Sequence, residues 1–123
     1  MRYTKQLKEI YQHRYKIMEA KNFNILKHFM IEIKMPVNPP TEFYTLVAAQ
    51  RDYVVDMMDK GVILSYGLSD DRTCLWVVAV AGSKEEVRAI TEQFPMFKYM
   101  TFRIEALMFY NNSKHKLPEL SLN

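Results

Sequence analysis

The sequence contains little cysteine and little glycine. Its 123 residues include one cysteine, Cys74, and three glycines. A single cysteine excludes a disulfide within the chain and fits a reducing compartment, so we expect a cytoplasmic protein. The glycines are isolated from one another, which excludes a glycine-rich loop that would hold phosphate.

Other absences narrow the class further. No stretch approaches the roughly 18 apolar residues that would cross a bilayer. The first residues carry scattered charges where a signal peptide would have an apolar core. The three histidines, His13, His28 and His115, have no spacing typical of metal ligands. We therefore expect no membrane segment, no metal and no cofactor.

The net charge of +3 is unevenly distributed. Residues 1–28 hold seven Lys or Arg against two Glu, a net of +5, and the remaining residues therefore sum to −2. Phosphate contacts could come only from the basic N-terminal part. Its basic residues are not interleaved with aromatics in any recognisable module, so nucleic acid is not the expected partner.

Three regions follow from the pattern. Residues 1–27 are predicted as a helical arm, because Tyr3, Leu7, Ile10 and Met18 recur at helical spacing within residues 3–21. Residues 28–110 are predicted as the folded domain and residues 111–123 as a tail. The apolar stripe of the arm needs a surface, either on its own domain or on a neighbouring subunit.

The domain begins with a strand and a helix. Alternating apolar residues predict a strand over 29–37, which Asn38-Pro39-Pro40 ends. Thr41 is predicted to cap a helix that runs to about Lys60, where Gly61 is the C-terminal signal. The inward positions of this helix are predicted to be Phe43, Val47, Val54 and Met58.

A hairpin, a second helix and a last strand complete the domain. Strands are predicted over 62–68 and 73–81, with a turn at 69–72. Ser83 and Glu86 have capping-box spacing and predict a helix to about Gln93, with Val87 and Ile90 inward. Residues 100–108 alternate again. The order β-α-β-β-α-β predicts an α+β, ferredoxin-like domain with an antiparallel sheet, the first and third strands central, and both helices on one face.

The third strand is apolar on both of its faces. A sheet covered by helices on one side only should alternate between apolar and polar residues. The second face therefore needs a cover. Either a second copy of the sheet packs against it, giving a homodimer or higher homo-oligomer, or the arm folds across it.

The segment FPMFKYM, residues 94–100, resembles the Leu-Pro-Leu-Phe-x-Tyr-Met segment that joins the second helix to the last strand in the muconolactone isomerase-like family of dimeric α+β barrels. Pro39-Pro40, Lys60-Gly61, Arg72 and Trp76 support this resemblance by their order and spacing. The resemblance implies a cofactor-independent proton shift on a small unsaturated lactone during aromatic catabolism, in subunit assemblies. Ser65 stands where the family has a histidine, and Arg51 where it has a lysine.

Such a reaction needs a base and a group that binds the substrate carboxylate. Glu32 and Glu105 are the candidate catalytic bases, since burial between facing sheets would raise the pKa of a carboxyl group. The candidate substrate-binding residues are Arg51, Tyr66, Trp76, Phe97, Tyr99 and Arg103.

Each candidate also has a structural interpretation. Glu32, Arg103 and Glu105 could form cross-strand ion pairs. Arg51 could lie on a solvated helix face, and Trp76 and Phe97 could belong to the core.

Two functions remain open from the sequence. One is an isomerase that acts on a small lactone or carboxylate ligand. The other is a non-catalytic binding or assembly module whose basic N-terminal helix contacts a partner.

Overall fold

The domain is a four-stranded antiparallel sheet with its helices on one face. The computed structural model of the chain describes residues 9–10 and 26–113. The predicted arm helix over 3–21 and the tail lie outside these residues, apart from the helical pair 9–10 and residues 111–113. The elements are β1 (Lys27–Lys34), α1 (Thr41–Thr45), α2 (Val47–Asp59), β2 (Ile63–Leu68), β3 (Cys74–Ala81), α3 (Lys84–Glu92) and β4 (Thr101–Leu107).

The strand order is β2-β3-β1-β4, with every neighbouring pair antiparallel. At the centre of the sheet Ile31 lies opposite Val77 on one side and Ile104 on the other. A shift in register between Ile63 and Ser65 bends β2. The ferredoxin-like topology with β1 and β3 central is therefore confirmed.

The core fills the space between the sheet and the helices. Phe29, Ile31 and Ile33 of β1 are at most 2% exposed, because period-two alternation directs all three toward the helices. Ile10 packs against this core as well. Further members of the core are Tyr53, Val54, Met57, Leu75, Val77, Ala79, Val87 and Ile90.

The predicted long helix is interrupted. Leu46 separates α1 from α2, and its N–H donates to the Phe43 carbonyl three residues back. The predicted cap is also wrong: Pro40 occupies the N-cap position, and Thr41 is the first helical residue. The Thr41 side chain therefore caps nothing, and the chain enters α1 through the extended backbone that proline favours.

The predicted inward face of this helix is correct only in part. Phe43 and Val54 are buried, but Val47 is 36% and Met58 is 42% exposed. The buried positions of α2 are Gln50, Tyr53, Val54 and Met57, which have the i, i+3, i+4, i+7 spacing of one helix face. The prediction followed apolar residues and passed over the polar residue on that face.

The helix ends were predicted from their local chemistry. Gly61 has φ 74°, and Val62 N–H donates to the Met57 carbonyl, as in a Schellman motif. At α3 the Ser83 hydroxyl accepts from the Glu86 N–H at 3.2 Å. The Glu86 carboxylate accepts in return from Gly82 N–H at 3.0 Å, one residue before the usual position.

Candidate functional site

A pocket of about 460 Å³ opens between the first two helices and the helix-facing side of the sheet. Its volume lies within the range of small-molecule sites. Most of its wall is apolar, with a few polar side chains that come from α2, β2 and the β2–β3 hairpin. The lining residues are Met35, Phe43, Tyr44, Val47, Gln50, Arg51, Tyr66, Leu68, Arg72, Leu75, Met96 and Met100.

The interruption of the helix at Leu46 builds one side of this pocket. Phe43 and Tyr44 come from α1, and Gln50 and Arg51 come from the first turns of α2. The Phe43 ring packs edge-on against Tyr44 at 5.3 Å and against Tyr99 at 5.4 Å between centroids. These contacts fix the aromatic wall at the mouth of the pocket.

Gln50 is the buried polar group of the pocket wall. It is 4% exposed, and its Oε1 accepts from the Met96 N–H at 3.2 Å. Its Nε2 has no hydrogen-bond partner among the described residues. A buried donor without a partner is unfavourable, and such groups are common where a ligand completes the hydrogen bonding.

Tyr66 is next to this amide and faces the helices from β2. Burial raises the pKa of the Tyr66 phenol, and the Gln50 amide and the Arg51 guanidinium act in the opposite direction. Because burial prevails, the phenol stays protonated at neutral pH. Tyr66 therefore offers the pocket a neutral hydrogen-bond donor.

Two guanidinium groups complete the polar part of the lining. Arg51 and Arg72 both line the pocket, and neither forms an ion pair within the described part of the chain. Arg72 has φ 66°, a left-handed conformation that costs a residue with a Cβ roughly 1 kcal/mol or more. Strained residues of this kind cluster at ligand sites, which makes Arg72 a candidate functional residue.

The predicted catalytic carboxylates lie on the other face of the sheet. Arg103 donates to Glu32 at 2.6 Å and to Glu105 at 2.6 Å, and all three side chains reach solvent. The hydrogen bond from Arg103 holds the pKa of Glu32 below its ordinary value, with the charge of Arg103 adding to the effect. The expected rise of this pKa assumed burial between two facing sheets; in the single chain the Glu32 carboxylate is paired with Arg103 and partly exposed, and the rise in an assembly stays a prediction.

The remaining predicted residues divide between the two faces. Arg51 and Tyr66 line the pocket, whereas Trp76 lies on the open face and is 43% exposed. Phe97 packs on Phe102 at 5.8 Å, and Tyr99 contacts the pocket wall through the Phe43 ring and through its N–H, which donates to the Met96 carbonyl at 3.0 Å. The structure thus brings Arg51 and Tyr66 together and separates them from Glu32, Glu105 and Arg103.

Sequence reasoning missed Gln50 as a site residue and assigned Arg72 only to a turn. Gln50 follows Phe43 by seven residues and precedes Tyr53 by three. A polar residue on the inward face of a helix was the signal that could have identified it.

Two searches over the described residues are negative. No group of three His, Cys, Asp or Glu side chains is placed to hold a metal ion there. In the same residues, no helix has both the length and the apolar character to cross a membrane.

A comparison with families of known proteins finds a match. The model of the family described as muconolactone delta-isomerase matches residues 26–113 of this chain. The matched range contains the whole sheet, all three helices and every pocket residue. A search of curated proteins finds no match to the chain.

Proposed function

The chain belongs to the muconolactone delta-isomerase family, and on this premise we propose that its pocket binds a small unsaturated lactone or related carboxylate and shifts a proton on it without a cofactor. The observation that carries the proposal is an apolar pocket in which two guanidinium groups without an ion pair among the described residues lie beside a phenol and a buried amide whose Nε2 has no partner in those residues. A reducing compartment such as the cytoplasm suits its single buried cysteine, Cys74.

The proposed reaction moves one proton and one double bond. A proton leaves one ring carbon, the electron pair delocalises toward the lactone carbonyl oxygen, and a proton returns to a different carbon. The group that binds the carbonyl oxygen must stabilise the negative charge that develops there. The pocket has neutral and cationic donors for this purpose.

We assign one role to each of three pocket side chains. Arg51 binds the ligand carboxylate, since a guanidinium can donate two parallel hydrogen bonds to it. The Tyr66 hydroxyl donates to the lactone carbonyl oxygen. Gln50 is a positioning residue. While the Tyr66 hydroxyl donates its hydrogen bond to the ligand, Gln50 Nε2 donates a hydrogen bond to the Tyr66 oxygen and so orients the phenol.

The proton-transferring base is the open element of this proposal. Glu32 and Glu105 are the predicted bases, and they lie across the sheet from the pocket of their own chain. They serve only if an assembly brings the open sheet face of one subunit to the pocket of another. Trp76 and Arg103 would then belong to that subunit contact.

The test is turnover of muconolactone by the full-length chain in D₂O, followed by proton NMR. We expect deuterium to enter the ring as the double bond moves. Arg51→Gln should lower kcat/KM by about tenfold to a hundredfold, the usual effect of losing a charged hydrogen bond. Gln50→Met keeps the size of the side chain and should lower kcat by a similar factor. Glu32→Gln and Glu105→Gln test the predicted bases.

A matched control tests whether the effect of Arg51→Gln comes from the pocket or from the loss of any one positive charge. Arg88 is an exposed arginine whose guanidinium stacks on Phe102 at 5.6 Å, and it does not line the pocket. Arg88→Gln should turn over muconolactone like the parent chain. Full activity of Arg51→Gln would overturn the assigned role, and binding of muconolactone without exchange or turnover would overturn the isomerase proposal.

A second function is favoured by one observation. No carboxylate and no imidazole occurs among the described residues that line the pocket, so the pocket itself lacks an ordinary base. In this alternative the pocket binds its ligand without turnover, and the basic N-terminal helix contacts a partner. Deleting residues 1–24 discriminates, because lost assembly with retained ligand binding would support the binding module.

A further inference from the structure

The two pocket arginines, Arg51 and Arg72, lie at different positions along β2, because one comes from a helix and the other from the hairpin. Arg51 is on α2, and its charge acts on the pKa of Tyr66 in the middle of β2. Arg72 is in the hairpin beyond Leu68, where its N–H donates to the Ser69 carbonyl at 2.9 Å. At about 3.3 Å per residue, the hairpin lies roughly 10 Å along the strand from Tyr66.

The hairpin fixes the backbone of Arg72 by a hydrogen bond and gives its guanidinium no ion-pair partner among the described residues. Asp71 is the nearest acidic residue in sequence, but its Oδ1 accepts from Ser69 Oγ at 2.7 Å, from Thr73 Oγ1 at 2.7 Å and from Thr73 N–H at 3.1 Å. These three bonds hold Asp71 Oδ1 in the turn. The Arg72 guanidinium has no ion-pair partner in the described residues.

The wall between the two cations is apolar. Leu68 and Leu75 are paired across β2 and β3, and Met35 joins the same strip of the pocket lining. A ligand with one carboxylate can engage one of the two guanidinium groups and leaves the other exposed to the pocket. A ligand with an acidic group at each end and an apolar body between them engages both.

We propose that the preferred ligand of this pocket is a dianion with two acidic groups separated by an apolar body, and that Arg72 is the residue that selects the second acidic group. The inference rests on the proposed ligand pocket and extends it from one carboxylate to two. It also gives a function to the strained backbone of Arg72, which a glycine would adopt without strain.

Two hexadienoate probes isolate the second charge. trans,trans-Muconate and sorbate share one six-carbon diene, and sorbate has a methyl group where muconate has its second carboxylate. Calorimetric titration of the full-length chain at low ionic strength should give a Kd for muconate about tenfold or more below that for sorbate. Added salt should reduce this preference.

The decisive variant is Arg72→Asn, because asparagine tolerates the left-handed conformation and removes only the guanidinium. It should bind sorbate like the parent chain and bind muconate no more tightly than sorbate. Arg88→Gln should keep the preference of the parent chain.

The outcomes separate this inference from the proposed function. Equal binding of both probes by the parent chain would overturn the two-anion ligand and leave the pocket standing. A preference that survives in Arg72→Asn would overturn the role of Arg72. If neither probe binds, both the pocket and the inference are wrong.

Discussion

Gln50 and Tyr53 are buried polar residues one turn apart on the same face of α2, and they differ in their partners. The Tyr53 hydroxyl donates to the Ile90 carbonyl of α3 at 2.7 Å. Gln50 Nε2 has no such partner in the described residues. Tyr53 therefore joins two helices, whereas Gln50 leaves a donor at the pocket.

Tyr53→Phe should lower the free energy of unfolding by about 1 kcal/mol, because a buried hydrogen bond is lost while the ring packing is kept. The Ile90 carbonyl also accepts from Gln93 N–H, so it keeps one partner and the loss stays modest. Urea unfolding measures this change. Ligand affinity should stay at the parent value. A variant as stable as the parent would show that the bond contributes nothing.

The pKa of Glu32 gives a test on the open sheet face. Arg103 lowers this pKa below 4.5, so their interaction stabilises the fold above that pH and is lost as pH falls through the lowered pKa. In Arg103→Gln the pKa of Glu32 should rise toward 4.5. A carbon-13 NMR titration of the Glu32 carboxyl measures it. Arg88→Gln should leave this pKa unchanged, and an unchanged pKa in Arg103→Gln would show that Arg103 does not lower it.

At the scale of elements, the C-termini of α2 and α3 follow from short-range chemistry, but only the end of α2 contains a glycine. Gly61 has φ 74°, and a Cβ added there would meet no atom within 4 Å. Its role is therefore conformational and not steric. Gly67 has the same open surroundings without a positive φ, which makes it a matched control.

Gly61→Ala should lower the free energy of unfolding by about 1 kcal/mol, because alanine is strained in the left-handed region. Gly67→Ala should change it by less than half as much. Urea unfolding of both variants beside the parent measures the difference. Equal effects would show that the conformation at the end of α2 is not the cause.

The elements were predictable because their signals are local. Alternation predicted the first and last strands, apolar runs around a turn predicted the middle two, and Ser83, Glu86 and Gly61 predicted helix ends, since each signal acts within a few residues of itself. The break at Leu46 and the exposure of Val47 were not predictable from an apolar pattern, because α1 and α2 carry apolar residues on both faces.

The pocket was less predictable than the fold, because it depends on long-range contacts. Arg51 and Tyr66 were predicted as ligand-binding residues, and fifteen positions separate them in the sequence. Gln50 meets Met96 from 46 residues away. No local pattern shows that the amide is buried with one donor unused. The resemblance to a family suggested candidate residues on both faces of the sheet and did not decide between the two faces.

At the scale of the whole molecule, the two faces of β3 differ. Leu75, Val77, Ala79 and Ala81 are buried under the helices, at most 2% exposed. On the other face Val78 is 4% exposed, while its neighbour Trp76 is 43% exposed beside the charged cluster of Glu32 and Arg103. Tryptophan and arginine are enriched at protein contacts, so this exposed face is a candidate contact surface.

We expect the full-length chain to form at least a dimer through this open face. Trp76→Lys should shift the mass in light scattering to that of one chain, 14.6 kDa, because it places a charge in the contact. The single chain should tolerate the lysine, because Glu32 lies opposite it on β1 and can pair with it. Val55→Lys is the matched control: Val55 is 49% exposed on the outer side of α2, and the variant should keep the parent mass.

The competing cover for this face is the basic arm, although Ile10, an arm residue, packs against the core on the helix side of the sheet. Deleting residues 1–24 separates the two covers. If a second copy covers the face, the truncated chain should keep the number of subunits of the parent, and Trp76→Lys should still dissociate it. If the arm covers the face, the parent chain should have the mass of one chain, and the truncation should expose the apolar face and increase association.

One result would exclude the dimer: a parent protein that has the mass of one chain at high concentration and whose Trp76 is accessible to fluorescence quenchers. Nothing would then shield the second face of β3 from water.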